Sequence, residues 1–160
     1  MKIVYITGTG QTRKFVNKLE MDSLEVTPTN PFLSVYEPFI MIIPSYEKDI
    51  TEIAWDFMDT ANNIQYCKGV IGNGNRNFAK LFCFSAKDLA VDYNLPYLHE
   101  FEFQGSINDV DNVNRIVKQL EEKTHQYFTP IQQGYYGESK SDYTNEEITV
   151  VSIELIKEET

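Results

Sequence analysis

Short apolar runs alternate with amphipathic stretches along this chain, and the alternation predicts its elements. Lys2-Ile3-Val4-Tyr5-Ile6 is a β-rich run ended by Thr7-Gly8-Thr9-Gly10, a strand followed by a turn. Thr12 to Leu19 then sets Phe15, Val16 and Leu19 at helical spacing. Leu24-Glu25-Val26-Thr27 reads as a short strand before Pro28 and Pro31 interrupt the chain. Phe39-Ile40-Met41-Ile42-Ile43 is continuously apolar, as in a parallel strand buried on both faces. The apolar positions Ile50, Ile53, Ala54, Phe57 and Met58 predict a helix, and Cys67–Ile71 the next central strand. Phe82–Tyr93 reads as a helix with Phe82, Ala86, Leu89 and Ala90 inward. Tyr97–Phe103 alternates as a last strand, and Val110–Leu120 closes with Val113, Ile116, Val117 and Leu120 on one helical face. Strands alternating with helices in this way predict an α/β fold: a five-stranded, doubly wound parallel sheet with helices on both faces.

The pattern changes near Thr124. Gly134-Tyr135-Tyr136-Gly137-Glu138-Ser139-Lys140-Ser141-Asp142 reads as a turn-rich linker, and Ile148–Leu155 as one more strand. Residues 124–160 carry seven acidic and two basic side chains. The expected division is therefore a domain over 1–123 and an acidic C-terminal extension over 124–160.

Charge narrows the partners. A net charge of −10 opposes a nucleic-acid surface, which needs clustered Lys and Arg, and equally opposes an anionic membrane. No apolar run is long enough to span a bilayer and no signal-peptide pattern opens the chain, so the expected location is cytoplasmic. Cys67 and Cys83 have neither metal-ligand nor redox spacing and read as reduced thiols. Neither His99 nor His125 is tied to them by a catalytic signature, so no catalytic or metal-ligating set is expected.

Two segments carry candidate chemistry. Thr7-Gly8-Thr9-Gly10-Gln11-Thr12 joins the first strand to the first helix, and its glycines let the backbone curl around a small anion at the helix N-terminus. It lacks the lysine of a nucleotide P-loop, and helix capping by threonine is the plain alternative. Gly72-Asn73-Gly74-Asn75-Arg76-Asn77-Phe78 follows a strand and precedes a helix, so its glycines and asparagines are expected as an exposed polar loop at a strand's C-terminal edge. Ligands bind at that edge in open α/β sheets. Phe78 beside it suits a flat, hydrogen-bonding ring, although an ordinary strand-to-helix turn fits the same residues. A phosphate in one loop and a ring beside others describes a mononucleotide.

The T-x-T-G-x-T pattern resembles that of flavodoxins. Lys68-Gly69-Val70-Ile71-Gly72-Asn73-Gly74-Asn75-Arg76-Asn77-Phe78, with Leu95 to Gly105 and Asp109-Val110, resembles more specifically the NrdI family, over roughly residues 2–120. That resemblance implies a flavodoxin-like sheet, bound FMN, and service to a class Ib ribonucleotide reductase. In that role reduced FMN reacts with oxygen and the oxidant passes to the dimanganese site of the radical-generating small subunit. It also implies a donor protein that reduces the flavin. Thr7, Gly8, Thr9, Gly10, Gln11 and Thr12 match the phosphate loop. Ser45, Tyr46 and Glu47 match the loop on one face of the ring. Asn73, Gly74, Asn75, Asn77, Phe78 and Ala79 match the loop along its polar edge. The chain departs from the family pattern at Glu47-Lys48-Asp49-Ile50, where glycines are usual, and at Ala79-Lys80, where glycine and an acidic or amide residue are usual. A positive φ at Ala79 would then carry strain of about 1 kcal/mol.

Other readings stay open at this stage. A stand-alone FMN-dependent NAD(P)H reductase would need a nicotinamide pocket that no stretch announces. A general flavodoxin electron carrier, or a flavin-free binding module, would share the same fold. Trp55 reads as a packing or rim residue, His99 as solvated or hydrogen-bonded, Cys83 as a small core residue, and Arg76 as solvated.

Overall fold

In the computed structural model, residues 1–45 and 48–135 are described, Lys48 and 124–135 by their backbone alone. The elements are β1 (Lys2–Tyr5), α1 (Gln11–Leu19), β2 (Ser23–Glu25), β3 (Phe39–Pro44), α2 (Lys48–Met58), α3 (Asn63–Tyr66), β4 (Cys67–Gly74), α4 (Phe84–Asp92), β5 (Tyr97–Glu102) and α5 (Ile107–Tyr135). A 3-10 turn over Arg76–Leu81 joins β4 to α4. All strand pairings are parallel and the order across the sheet is β2-β1-β3-β4-β5, the doubly wound order of flavodoxins. The chain reverses direction across the sheet between β1 and β3, which is where such sheets open a crevice.

The strand pleat explains the two cores. Ile3, Tyr5, Ile40, Ile42, Ile71 and Phe101 point to one face and meet Phe15, Val16 and Leu19 of α1 and Val113, Val117 and Leu120 of α5. Val4, Met41, Ile43 and Val70 point to the other and meet Phe57 and Met58 of α2 and Ala86 and Leu89 of α4. Consecutive apolar residues in β3 therefore serve opposite layers, which is why that run has no polar alternation.

Several boundaries differ from those the sequence predicts. β4 runs on to Gly74, so Gly72 and Asn73 are buried strand residues and not part of an exposed loop. The reason lies across the sheet: a Cβ on Gly72 would fall 2.7 Å from both Cys83 Cβ and the Tyr97 hydroxyl. Glycine is there to let α4 and β5 close on the strand. α4 starts at Phe84, after Cys83 in a left-handed conformation (φ 54°), and not at Phe82. The single-turn α3 was unpredicted; it rests on buried Asn63, which bonds Val35 N, Leu33 O and Phe57 O, each at 2.8 Å. α5 continues through residue 123 to Tyr135. The predicted strand over 148–155 lies outside the described residues.

Candidate functional site

Three chain segments leave the C-terminal edges of adjacent strands. β1 hands over to the Thr7–Thr12 turn, β3 to Ser45, and β4 to Asn75 and the 3-10 turn. Register sets them side by side, since Tyr5 pairs Ile42 and Pro44 pairs Asn73. Ser45 N continues the ladder by donating to Asn73 O at 2.9 Å.

The first turn curls at Gly10, at the N-terminus of α1. Gly10 takes φ 88°, open to glycine and costly for other residues, and its N–H donates to Thr7 Oγ1 at 3.0 Å. Lys14 N makes the first intrahelical bond, to Gly10 O at 3.1 Å. The N-cap residue, Gly10, supplies no side-chain cap and no acidic residue sits in the first turn of α1, so the positive end of the helix dipole lies at this turn. Gly8 and Thr9 are exposed. Thr12 points the other way: it is 1 % exposed, and its hydroxyl accepts a 3.0 Å bond from the amide of Asn73, itself 2 % exposed. These two residues join the two candidate segments from behind.

Ser45 Oγ is buried with no partner among the described residues. Such an atom carries a desolvation penalty until something bonds it. Tyr46 and Glu47, expected beside it, lie outside the described residues.

The third segment holds strain. Asn75 caps the 3-10 turn, accepting Asn77 N at 3.0 Å. Ala79 takes φ 49°, ψ −111° inside it, and its carbonyl accepts Phe82 N at 3.0 Å. Ala79 thus takes the positive φ that a glycine would take without cost. Asn77, Phe78 and Ala79 are exposed, with Phe78 at 62 % and Leu81 at 58 %.

Sequence reading missed what steadies this turn. Arg76 is not merely solvated: its backbone N–H and Nε reach the two oxygens of Glu102 at 3.2 and 3.1 Å, and its guanidinium lies 4.4 Å from the Phe82 ring centre. Lys87 donates to Phe82 O at 3.0 Å and pairs with Glu100 at 3.5 Å. Glu100 and Glu102 share one face of β5, so the alternation that marked the strand also marked this support. Other single-residue expectations fall into place. Trp55 Nε1 donates to Asp92 at 2.8 Å, and His99 bonds Asp109 at 2.9 Å. Burial pushes the Cys83 thiol up to about 11, leaving it protonated and unreactive.

Among solved proteins, a short-chain flavodoxin associated with a PDU bacterial microcompartment is similar to this chain, with 15 % identity and a TM-score of 0.49 over 73 % of this chain and 93 % of that one. No helix of the described residues is long and apolar enough to cross a membrane. The family described as NrdI flavodoxin-like matches residues 3–115, and the chain accordingly belongs to this family of FMN-binding, flavodoxin-like redox proteins.

Proposed function

We propose that this protein activates the radical-generating small subunit of a class Ib ribonucleotide reductase. The observation that carries the reading is the convergence of the Thr7–Thr12 turn, Ser45 and the Asn73–Ala79 segment on one sheet edge, in a chain that belongs to the NrdI family. When bound there, FMN supplies electrons and, in its reduced form, the reaction with dioxygen from which the partner's dimanganese site takes its oxidant.

The residues present fit that group. The N-terminus of α1, with glycine at its N-cap, and the curled backbone at Gly10 suit a terminal phosphate, with Thr7, Gly8, Thr9 and Gln11 around it. The orphaned Ser45 hydroxyl is matched by a polar atom of the ring or its ribityl chain. Gly74, Asn75, Asn77 and Ala79 present backbone and amide groups to the polar edge of the ring. Thr12 and Asn73 act one layer back, fixing the spacing between phosphate turn and ring segment through their buried bond. Phe78, expected along the polar edge of the ring, and Leu81 are exposed and apolar, and offer the partner a contact surface beside the ring.

The test has two stages. Purified protein should show a flavin absorption spectrum. The reduced protein, added with dioxygen to the manganese(II)-loaded small subunit, should then generate a tyrosyl radical detectable by paramagnetic resonance. Radical yield no higher than with free reduced FMN would sink the activator reading. Lys80→Glu should weaken association with the subunit while leaving FMN affinity intact.

A further inference from the structure

We propose that Arg13 is a phosphate-reading residue, held by Glu25 so that its guanidinium distinguishes a phosphorylated flavin from an unphosphorylated one. The inference rests on the assignment of the Thr7–Thr12 turn to the phosphate.

Arg13 stands in the first turn of α1, the positive end of the helix dipole, where anionic side chains are preferred and cations are opposed. It is followed there by Lys14, and no acidic residue offsets the pair from within that turn. Two cations at a helix N-terminus are out of keeping with a chain of net charge −10. The compensating charge comes from the neighbouring strand β2: Arg13 Nη2 donates to Glu25 Oε1 at 2.6 Å. Tyr5 hydrogen-bonds the Arg13 side chain; its phenol is pushed up by burial and then by the Glu25 charge, with the bond from Arg13 acting in the opposite sense.

Glu25 takes Nη2, and the Tyr5 hydroxyl takes a further donor of the guanidinium. Nη1 lies 4.0 Å from the point where a Cβ on Gly10 would stand, the nearest atom there. Nη1 therefore lies beside the glycine at which the turn curls. A guanidinium can bond two oxyanions at once because its donors diverge in a fixed plane, which a lysine ammonium cannot reproduce. The arrangement gives Glu25 and Tyr5 the task of aiming Arg13 and sets Nη1, which carries two N–H donors, beside the turn for a phosphate oxygen. Without Arg13, Glu25 would stand near the turn as an uncompensated negative charge.

Apo protein titrated with FMN and with riboflavin, following flavin fluorescence, tests this in wild type, Arg13→Gln, Arg13→Lys and the Arg13→Gln/Glu25→Gln double variant. Arg13 is half-exposed, so the variants should keep the wild-type circular dichroism. Wild type is expected to prefer FMN. Arg13→Gln should shrink that preference about tenfold or more, as expected for loss of a charge-assisted bond, with riboflavin affinity unchanged. Arg13→Lys should recover part of the preference, the double variant none, and added salt should erode it more in wild type than in Arg13→Gln. An unchanged preference in Arg13→Gln, or equal loss for both flavins, would overturn the inference while leaving the phosphate turn intact. So would recovery in the double variant, because Arg13 would then only screen Glu25. Wild type with no preference for FMN would remove the turn assignment itself, and this inference with it.

Discussion

Replacing Ala79 by glycine should stabilise the protein, the opposite of what such a change does in most settings. Ala79 is exposed, so removing its methyl group forfeits no packing. Its φ of 49° with ψ of −111° lies where a Cβ crowds the neighbouring peptide groups. Sparsely populated backbone conformations of this kind cost about 1–3 kcal/mol and persist only where surrounding structure imposes them. The surroundings here are identifiable: the Asn75 cap, the Arg76–Glu102 pair, and the bond from Phe82 N to Ala79 O. Glycine removes the strain but gives the unfolded chain more freedom to lose, which costs about 0.5–1 kcal/mol. The difference is a net gain of up to about 2.5 kcal/mol, and each kcal/mol should raise the melting temperature by about 2–4 °C in a chain of this size. Urea denaturation of the apo protein measures it, provided the slope against denaturant stays constant. Destabilisation of Ala79→Gly by about 1 kcal/mol, the ordinary penalty in a relaxed helical turn, would show that Ala79 carries no strain. The same substitution should loosen the loop, so FMN affinity and stability are expected to move in opposite directions.

Thr12→Val leaves the Asn73 amide without its acceptor and should cost about 1–3 kcal/mol, whereas Thr12→Val/Asn73→Leu should recover much of the loss; a double-mutant cycle from denaturation curves reads the difference. Gly72→Ala drives a methyl group against Cys83 and Tyr97 and should destabilise by about 1–3 kcal/mol, so wild-type stability would contradict the close approach of α4 to β4. Asp109 is opposed by burial, but bonds from Ser106 N–H, the Ser106 hydroxyl and His99 outweigh it and hold the carboxyl below its ordinary 3.8. Its contribution is therefore complete above that value and lost as pH falls through the lowered one; Asp109→Asn should flatten the acid limb of stability against pH, and an identical limb would refute the linkage.

How far the sequence carried the fold depended on whether the signal was local. β3 was legible because five consecutive apolar residues have to be shared between two layers, and only a central parallel strand does that. α1 was legible because Phe15, Val16 and Leu19 bury as their spacing demands. α3 was not, because its reason for existing is one amide, Asn63, satisfied by backbone groups far apart in sequence. The start of α4 was misplaced by two residues because apolar Phe82 fits a helical period, yet its φ of −58° comes with an extended ψ of 119°.

The site shows the same division more sharply. The turn glycines and threonines suggest the proposed anion site because their physics is local: Gly10 needs its positive φ, and a helix N-terminus favours an anion. The asparagines did not announce their separate tasks. Read together, Asn73, Asn75 and Asn77 look like one polar loop, but the strand's two-residue period and the closeness of α4 divide them. Asn73 is buried and bonded to Thr12, Asn75 caps the turn, and Asn77 is exposed. A buried amide requires a partner whose identity is set by tertiary register, and here it is the last residue of the T-x-T-G-x-T turn. The two motifs are thus covalently remote parts of one cradle. Displacing α1 along its axis would break the Thr12–Asn73 bond and change the distance between the Thr7–Thr12 turn and the Asn75–Ala79 segment together. That coupling gives a reason for a fully buried polar pair to stand behind the proposed flavin site, where two apolar residues would have packed as well.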